Sequence, residues 1–303
     1  MLMISIIALC LYMVSFSDGG VYSSSVDAVV AHAKKLVGDG ACILDIGGES
    51  TRPGSTTVPI EDEIQRVIPV IKALRSDGVN TLISVDTRKA GVAAAAIQAG
   101  ADIINDVSSG LYDPEMVPLV GRLKVPYIVM HMRGEPGSMT DSKFTTYADT
   151  VQEVTRELRD RLNAMDSIVP RWLQIVDPGI GFAKGYAENM EVLRPDNLHT
   201  FKSALGNRPL LVGLSRKRFL SKAEYLSSNA RKSLVSEFDS EFDVASDVDI
   251  HASVTDSLSL ADRDLLSAGA NCAAVLGGAD ILRVHDVATT RKVINAFTSV
   301  TSK

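Results

Sequence analysis

The chain has 303 residues, of which 46% are hydrophobic, 22% charged and 5% aromatic, a composition typical of globular proteins and unlike that of disordered or fibrous ones. Its 31 Lys and Arg against 37 Asp and Glu give no basic excess, so we expect no nucleic-acid partner. Three widely spaced cysteines exclude a disulfide scaffold and a zinc knuckle, and they indicate a reducing compartment.

The first seventeen residues, MLMISIIALCLYMVSFS, form a short apolar run. A secretory signal would have a basic start and a small-residue cleavage site, and a bilayer span would be longer. A strand that is buried on both faces of a parallel sheet has this composition. We therefore predict a first strand here and no membrane association, with a signal or an anchor as the alternative.

Short apolar runs alternate with longer amphipathic ones in the rest of the chain. Apolar residues from Val26 to Val37 keep helical spacing, and acids 61–63 precede an apolar stripe from Ile64 to Leu74, which predicts two helices. Further strands are predicted at residues 41–46, 81–85, 102–104, 125–130, 173–176, 209–214 and 281–284. About eight strand-and-helix cycles predict an α/β protein with a (β/α)8 fold, the TIM barrel, as a single domain over residues 1–303.

Residues 221–260 interrupt this alternation. They are rich in Ser, Asp and Glu and have little periodicity. Such a composition buries too little apolar surface to offset the entropy lost on ordering. We predict a flexible insertion at 221–260, after the seventh strand.

Polar motifs follow nearly every predicted strand, where a barrel of this kind carries its reacting groups. Each motif alone could be a helix cap or a turn. The motifs begin at Asp45, Asp86, Asn105, His131, Asp177, Ser215 and Arg283.

Basic residues are concentrated after the last two strands. Arg283 and His285 are two apart on a strand and share a face. Buried cations without a partner are strongly destabilising, so the pair predicts an anionic ligand, with a salt bridge to an internal Asp as the alternative. Lys217 and Arg218 near a helix start, beside Ser215, favour a carboxylate or phosphate in the same way.

Asp86, Asn105 and Asp177 form the complementary polar set. Carboxylates and an amide in one pocket can bind the donor-rich edge of a heterocycle, and they discriminate against ligands without donors. Oxygen ligands also suit Mg²⁺, so a metal site is the alternative.

Taken in order, the motifs GGESTRPG, DTR, NDVS, HMRG, DPGIGFAK, SRK and RVHDV resemble dihydropteroate synthase of folate biosynthesis. The resemblance runs from Phe16 to about Phe297, apart from the insertion. It implies a (β/α)8 homodimer that joins p-aminobenzoate to 6-hydroxymethyl-7,8-dihydropterin pyrophosphate and releases pyrophosphate in a step that depends on Mg²⁺.

The same resemblance assigns roles to individual residues. Asp86, Asn105 and Asp177 would hold the pterin edge and Lys217 its ring, while Arg283 and His285 would hold the pyrophosphate. Thr51 and Arg52 would lie on a mobile loop over the site. The residues implied to seat p-aminobenzoate are Ser215, Phe182 and Phe16.

The first loop departs from the family pattern, which reads NVTPDSFSDGG. Aligned without gaps on residues 10–20, the chain keeps only SFSDGG and has Cys10 where the family has a metal-binding Asn. A thiol is a poor ligand for Mg²⁺. We expect either a truncated or mis-assembled start, which we favour, or a weakly catalytic homologue.

Two other functions remain as alternatives. One is a methyltetrahydrofolate-dependent methyltransferase, which shares the pterin-binding barrel, and the other is a non-catalytic pterin-binding homologue. The resemblance also allows fusion to, or derivation from, a pyrophosphokinase-synthase polypeptide. We expect a cytoplasmic location, with the mitochondrion as the alternative.

Overall fold

The computed structural model describes residues 5–11, 25–52, 55–223 and 258–301. Eight parallel strands in these ranges form one sheet. The strands are β1 (Ser5–Leu11), β2 (Ile43–Gly47), β3 (Leu82–Asp86), β4 (Ile103–Asp106), β5 (Tyr127–Met130), β6 (Gln174–Asp177), β7 (Leu211–Gly213) and β8 (Ile281–Val284).

Helices occupy the segments between the strands, as the alternation predicts. They are α1 (Val26–Gly38), α2 (Ile60–Ser76), α3 (Ala90–Ala99), α4 (Met116–Leu123), α5 (Ser142–Thr145), α6 (Thr150–Met165), α7 (Tyr186–Leu193), α8 (Pro195–Ala204), α9 (Leu260–Leu276) and α10 (Val287–Thr301). Side chains cap the first turn of several of them: for example, Ser25 accepts the Ala28 N–H at 3.3 Å, and Ser259 forms a capping box with Asp262.

The strand order is β6-β5-β4-β3-β2-β1-β8-β7. The two outer strands of this order meet through one parallel bridge between Val176 and Leu210, where the Val176 N–H donates to the Pro209 carbonyl at 2.9 Å. The fold is therefore a (β/α)8 barrel in which a single bridge takes the place of the last ladder.

The barrel interior is apolar below and polar above. Alternate strand residues face the helices, and their counterparts inside form a separate apolar cluster of Ile43, Ile103, Ile128, Leu211 and Ile281. Two residues further along the same strands, the inward positions are occupied by Asp45, Asn105, Met130, Gly213 and Arg283. An apolar floor thus lies beneath a polar layer at the carboxyl ends of the strands.

Most sequence predictions of elements are confirmed within one or two residues. The N-terminal run forms β1 over residues 5–11, between β2 and β8. The proposed insertion at 221–260 is too wide, because residues 221–223 are helical and Leu260 begins α9. The rest of that segment lies outside the described residues. Within the described ranges, the helices are all too short or too polar to cross a membrane.

Candidate active site

The strand register brings the predicted polar residues to one end of the barrel. Gly47 pairs with Asp86, which pairs with Asn105, and Met130 pairs with Asp177. Asp86, Asn105 and Asp177 are all buried. The three residues expected to bind a heterocycle therefore line the same opening.

Arg283 is held by two carboxylates. Its guanidinium forms an ion pair with Asp45 at 2.6 Å and another with Asp86. Burial opposes its charge, but the surrounding carboxylates of Asp45, Asp86 and Asp177 raise the pKa of Arg283 above its ordinary value. The structure of the ligand-free chain thus shows the alternative, a salt bridge to internal Asp residues, and the anionic ligand of Arg283 stays a prediction.

Asp45 is a site residue that the sequence analysis placed at the end of a strand but to which it gave no role. It is fully buried, and besides contacting Arg283 it accepts a hydrogen bond from Asn105 Nδ2 at 3.2 Å. Its signal in the sequence is one carboxylate inside the apolar strand ILDIG. A charge in such a strand requires a buried partner.

Three buried polar atoms in this layer have no hydrogen-bond partner among the described residues. They are Asp86 Oδ1, Ser84 Oγ and Arg283 Nε. Buried polar atoms are rarely left unsatisfied, and exceptions often mark functional sites. Burial, reinforced by Asp45 and opposed by Arg283, raises the pKa of Asp86 to about 7. Near neutral pH, Asp86 can therefore either accept or donate a hydrogen bond.

Asp177 closes the turn that follows β6. Its Oδ1 accepts the Gly179 N–H at 2.7 Å. Burial raises the pKa of Asp177, although the Gly179 hydrogen bond and the charge of Lys217 oppose that rise. The loop beyond it brings Lys217 and Phe182 together.

Lys217 lies over the ring of Phe182, with 4.6 Å between its ammonium and the ring centroid. The ammonium also donates to the Ile180 carbonyl. Burial lowers the pKa of Lys217 to about 8, against the influence of Asp177. Both residues stand where sequence analysis placed them, whereas Arg218 is exposed and contributes nothing to this predicted cationic pair.

His285 contacts Ser215 as the two predicted motifs approach each other. The Ser215 hydroxyl accepts the His285 backbone N–H at 3.1 Å and lies 2.7 Å from Nδ1. Burial, with the charges of Arg216 and Arg283, lowers the pKa of His285 to about 3. His285 is therefore neutral, which corrects the expectation of a second basic group beside Arg283.

The loop that carries Thr51 and Arg52 is held by hydrogen bonds and ion pairs of Glu49, near its start. Glu49 accepts the Val58 N–H at 2.8 Å and forms ion pairs of 2.6 Å with Arg88 and Lys89. Thr51 is half-buried and Arg52 is exposed, and the charge of Arg52 contributes to the lowered pKa of His285. Phe16 and the Cys10 side chain lie outside the described residues.

The residues that the structure describes do not form a site for a resident Mg²⁺ ion. Within the described ranges, no three His, Cys, Asp or Glu side chains are arranged to hold a metal. Arg283 already pairs with Asp45 and Asp86, and the residue at the expected metal position, Cys10, offers a thiol. The alternative of Asp86, Asn105 and Asp177 as metal ligands stays a prediction, which the ion pair of Asp86 with Arg283 disfavours.

Comparison with known proteins places this barrel in a family. The model of the pterin binding enzyme family matches residues 14–285. The chain belongs to this family. Among relatives, it is 38% identical to a dihydropteroate synthase of Synechocystis over 275 residues, covering 90% of this chain and 81% of that protein.

Solved structures of pterin binding enzymes agree with this fold. A dihydropteroate synthase of Xanthomonas albilineans with 4-aminobenzoic acid aligns with a TM-score of 0.78 at 34% identity, covering 99% of this chain and 94% of that one. The folic acid synthesis protein of Pneumocystis carinii is 40% identical over 90% of this chain and 32% of its own length. The chain spans about a third to a half of several such relatives.

Proposed function

We propose that this chain is a dihydropteroate synthase, which joins p-aminobenzoate to 6-hydroxymethyl-7,8-dihydropterin pyrophosphate. The observation that carries the proposal is the buried Asp86 carboxylate, with one oxygen unpartnered and the other paired with Arg283. A flat ring with N–H donors would form a hydrogen bond to that oxygen, and an anionic tail would form an ion pair with the Arg283 guanidinium. Solved synthases of this family with 4-aminobenzoic acid and with 7,8-dihydropteroate support the same substrates.

In the proposed complex, Asp86, Asn105 and Asp177 bind the pterin edge and Lys217 lies against its ring. Pterin donors replace the guanidinium at Asp86. Arg283 then turns to the pyrophosphate, beside His285. An anion at this position stabilises the protonated form of His285 and so raises its pKa from the low value of the ligand-free chain.

The proposed reaction breaks the bond between the pterin methylene carbon and the pyrophosphate oxygen, which leaves with the bonding electrons. The dihydropterin ring delocalises the resulting positive charge. The p-aminobenzoate nitrogen then forms the new bond and loses a proton. Phe182, Ser215 and Phe16 would seat that second substrate, and the loop with Thr51 and Arg52 would close over the site.

The protein contributes positioning and electrostatics to these steps, without a covalent intermediate. Because the described residues do not fit a resident ion, no step is assigned to Mg²⁺. The Mg²⁺ requirement stays a prediction, which a comparison of this chain with Cys10→Asn at several Mg²⁺ concentrations tests.

The proposal is tested by measuring pyrophosphate release with and without p-aminobenzoate, together with dihydropteroate by mass spectrometry. We expect both products only when both substrates are present. Methyl transfer from methyltetrahydrofolate to a corrinoid acceptor would identify the methyltransferase instead, and pterin binding without turnover would identify the non-catalytic homologue.

Arg283→Ala tests the proposed role at the leaving group. We expect kcat at saturating substrates to fall by about 100-fold, because removal of one preorganised group that stabilises developing charge typically has this effect. Unchanged turnover would show that Arg283 does not stabilise the leaving group.

We also propose a homodimer. Leu265 and Leu276 are 61% and 57% exposed and lie eleven residues apart on α9, so they share an apolar face. Sedimentation of the intact chain and of Leu265→Glu tests this, and a monomeric parent chain would refute it.

The cytoplasm is the proposed location, with the mitochondrion as the alternative. One Arabidopsis relative, at 36% identity, is named as a mitochondrial bifunctional folate synthesis protein. Relatives of this kind also support the proposal that this barrel works fused to, or derives from, a pyrophosphokinase-synthase polypeptide.

A further inference from the structure

Lys184 ends the loop between β6 and α7, and it is buried, with 8% of its surface exposed. Its ammonium lies 3.0 Å from His131 Nδ1, 3.0 Å from the Gly179 carbonyl and 3.1 Å from the Phe182 carbonyl. An ammonium has three protons to donate and accepts none. These three acceptors therefore use its full hydrogen-bonding capacity.

His131 passes this contact on to another element. Because its Nδ1 accepts from Lys184, its proton is on Nε2, which donates to Glu157 of α6 at 3.0 Å. Glu157 in turn pairs with Arg133. A continuous chain of hydrogen bonds thus links the β6–α7 loop to helix α6.

The loop needs such support because its backbone is unusual. Gly179, Gly181 and Ala183 have φ values of 66°, 78° and 48°, in the left-handed region that side chains disfavour. The two carbonyls bound by Lys184 belong to the start of this stretch and to the residue before Ala183. Tyr147 adds one further tie, donating to the Ala183 carbonyl at 2.8 Å.

We infer that Lys184 is a positioning residue whose ammonium, anchored through His131 to α6, holds the β6–α7 loop so that Phe182 faces the second substrate. The inference rests on the proposed function, which gives Phe182 a role in seating p-aminobenzoate. Lys184 acts through the loop carbonyls and through His131.

Two of the pterin contacts, those of Asp86 and Asn105, do not depend on this loop. Asp86 and Asn105 lie on strands β3 and β4, which ladder hydrogen bonds hold in place. Loss of Lys184 should therefore weaken p-aminobenzoate binding more than pterin binding.

A pH effect supports the same distinction. Burial lowers the pKa of Lys184 to about 7, Asp177 and Glu157 raise it, and Lys217 and Arg133 lower it further. The neutral amine donates only two hydrogen bonds, so the three contacts of Lys184 with His131, Gly179 and Phe182, which we call the clamp, weaken above neutral pH. Lys217 also titrates in this range and can change the KM for p-aminobenzoate with pH. The difference in KM between two variants that both keep Lys217 is free of this contribution.

The test compares Lys184→Met with Lys202→Met. Lys202 is a matched control, because its ammonium also binds a backbone carbonyl, that of Gly278 at 2.8 Å, and it contacts Asp280 at the opposite end of the barrel. Both variants should lose stability.

For Lys184→Met alone, we expect KM for p-aminobenzoate to rise about tenfold, while kcat and the pterin dissociation constant change less than threefold. KM of the parent chain and of Lys202→Met should rise between pH 7 and 9, and the rise should be smaller in Lys184→Met, which keeps only the contribution of Lys217. An unchanged KM in Lys184→Met, or an equal rise in Lys202→Met, would overturn the inference.

Hydrogen exchange of residues 178–185 separates this inference from the proposed function. We expect faster exchange there in Lys184→Met than in the parent chain or Lys202→Met, whether or not the parent chain makes dihydropteroate. If the parent chain has no synthase activity, the proposed function fails, and equal exchange in all three proteins would independently refute the clamp. If Lys184→Met does not fold, His131→Gln, which replaces both the acceptor of the Lys184 ammonium and the donor to Glu157, should raise exchange in the same segment.

Discussion

Asp45, Asp86 and Arg283 show at the level of single residues why a polar layer is tolerated inside a barrel. Their side chains are 1%, 4% and 17% exposed, and one guanidinium contacts both carboxylates. Removing one partner of a buried pair leaves an uncompensated charge and destabilises a protein by about 3 to 5 kcal/mol. For the same reason, a ligand can separate Arg283 from Asp86 only if it offers hydrogen-bond donors to the carboxylate and an anion to the guanidinium.

Asp86→Asn tests the carboxylate that faces the ligand. The amide keeps the shape but presents N–H donors on one side to a donor-rich ring edge, so we expect pterin affinity to fall at least about 100-fold, or about 2.8 kcal/mol. Titration calorimetry measures this affinity.

Asp106→Asn is the control for Asp86→Asn. Asp106 is equally buried at the end of the neighbouring strand, but it accepts hydrogen bonds from Ser108, Gly110 and Tyr127. We expect this control to lower the melting temperature and to leave pterin affinity intact. Equal affinity losses in both variants would argue against a specific role for Asp86.

His131 gives a pH-dependent prediction. Burial, with the charge of Lys184, lowers its pKa from 6.5 to about 4 in the folded chain. Between these values the unfolded chain binds a proton that the folded chain excludes, so stability decreases as the pH falls, by about 1.4 kcal/mol per unit. Urea unfolding at pH 7 and 4.5 should therefore show a smaller loss for His131→Gln than for the parent chain, and identical losses would disprove the assignment.

At the level of elements, the β6–α7 loop supports one side of the site. It follows Asp177, the last residue of β6, and contains Phe182 and Lys184. Its left-handed residues allow a compact turn that passes close to the end of β5, where a Cβ on Gly179 would overlap the His131 carbonyl oxygen. Glycine is therefore required there for space as well as for backbone conformation.

Gly179→Ala and Gly78→Ala separate these two requirements. Both glycines have positive φ, 66° and 76°, but a Cβ on Gly78 would have no atom within 4 Å. Gly78→Ala should cost about 1 kcal/mol of stability with unchanged turnover, since only backbone strain is added. Gly179→Ala should cost more and reduce turnover at least tenfold. Equal losses of stability in urea unfolding would show that the close approach is unimportant.

For the molecule as a whole, the apolar floor contributes to stability, and the polar layer above it carries the proposed ligand contacts. Ile128 and its neighbours fill the lower barrel, so the polar layer above can be arranged for ligands without leaving a void beneath it. The seam between β6 and β7 has only one bridge. Asp280 supports the adjacent β7 entrance by accepting the Leu210 N–H at 2.7 Å.

Ile128→Ala tests the floor. This side chain is 1% exposed, and its truncation should lower the free energy of unfolding by about 2 to 5 kcal/mol because a cavity remains. Ile168→Ala, at a position that is 44% exposed, is the control and should change it by less than about 1 kcal/mol. Urea unfolding measures both, and similar losses would contradict the layered interior.

Local pattern was sufficient to predict the strand-and-helix alternation and the end of the barrel that carries the site. Strand positions were right within about two residues because apolar runs and alternation report burial directly. The face shared by Arg283 and His285 followed from the same two-residue period. Phe182, Asp177 and Lys217 were placed near one another because their motifs follow adjacent strands.

Which residues pair across the barrel could be seen only in the three-dimensional structure. Arg283 meets Asp86 across 197 positions of sequence, and Lys184 meets His131 across 53. Which carboxylate a cation contacts, and whether a histidine such as His285 is neutral, depends on burial and register that arise only when all strands pack together. The amino-acid order therefore specified the alternation of strands and helices and the location of the chemistry. Long-range packing selected the pairings and protonation states, because electrostatic energies depend on distance in space and on exclusion of water.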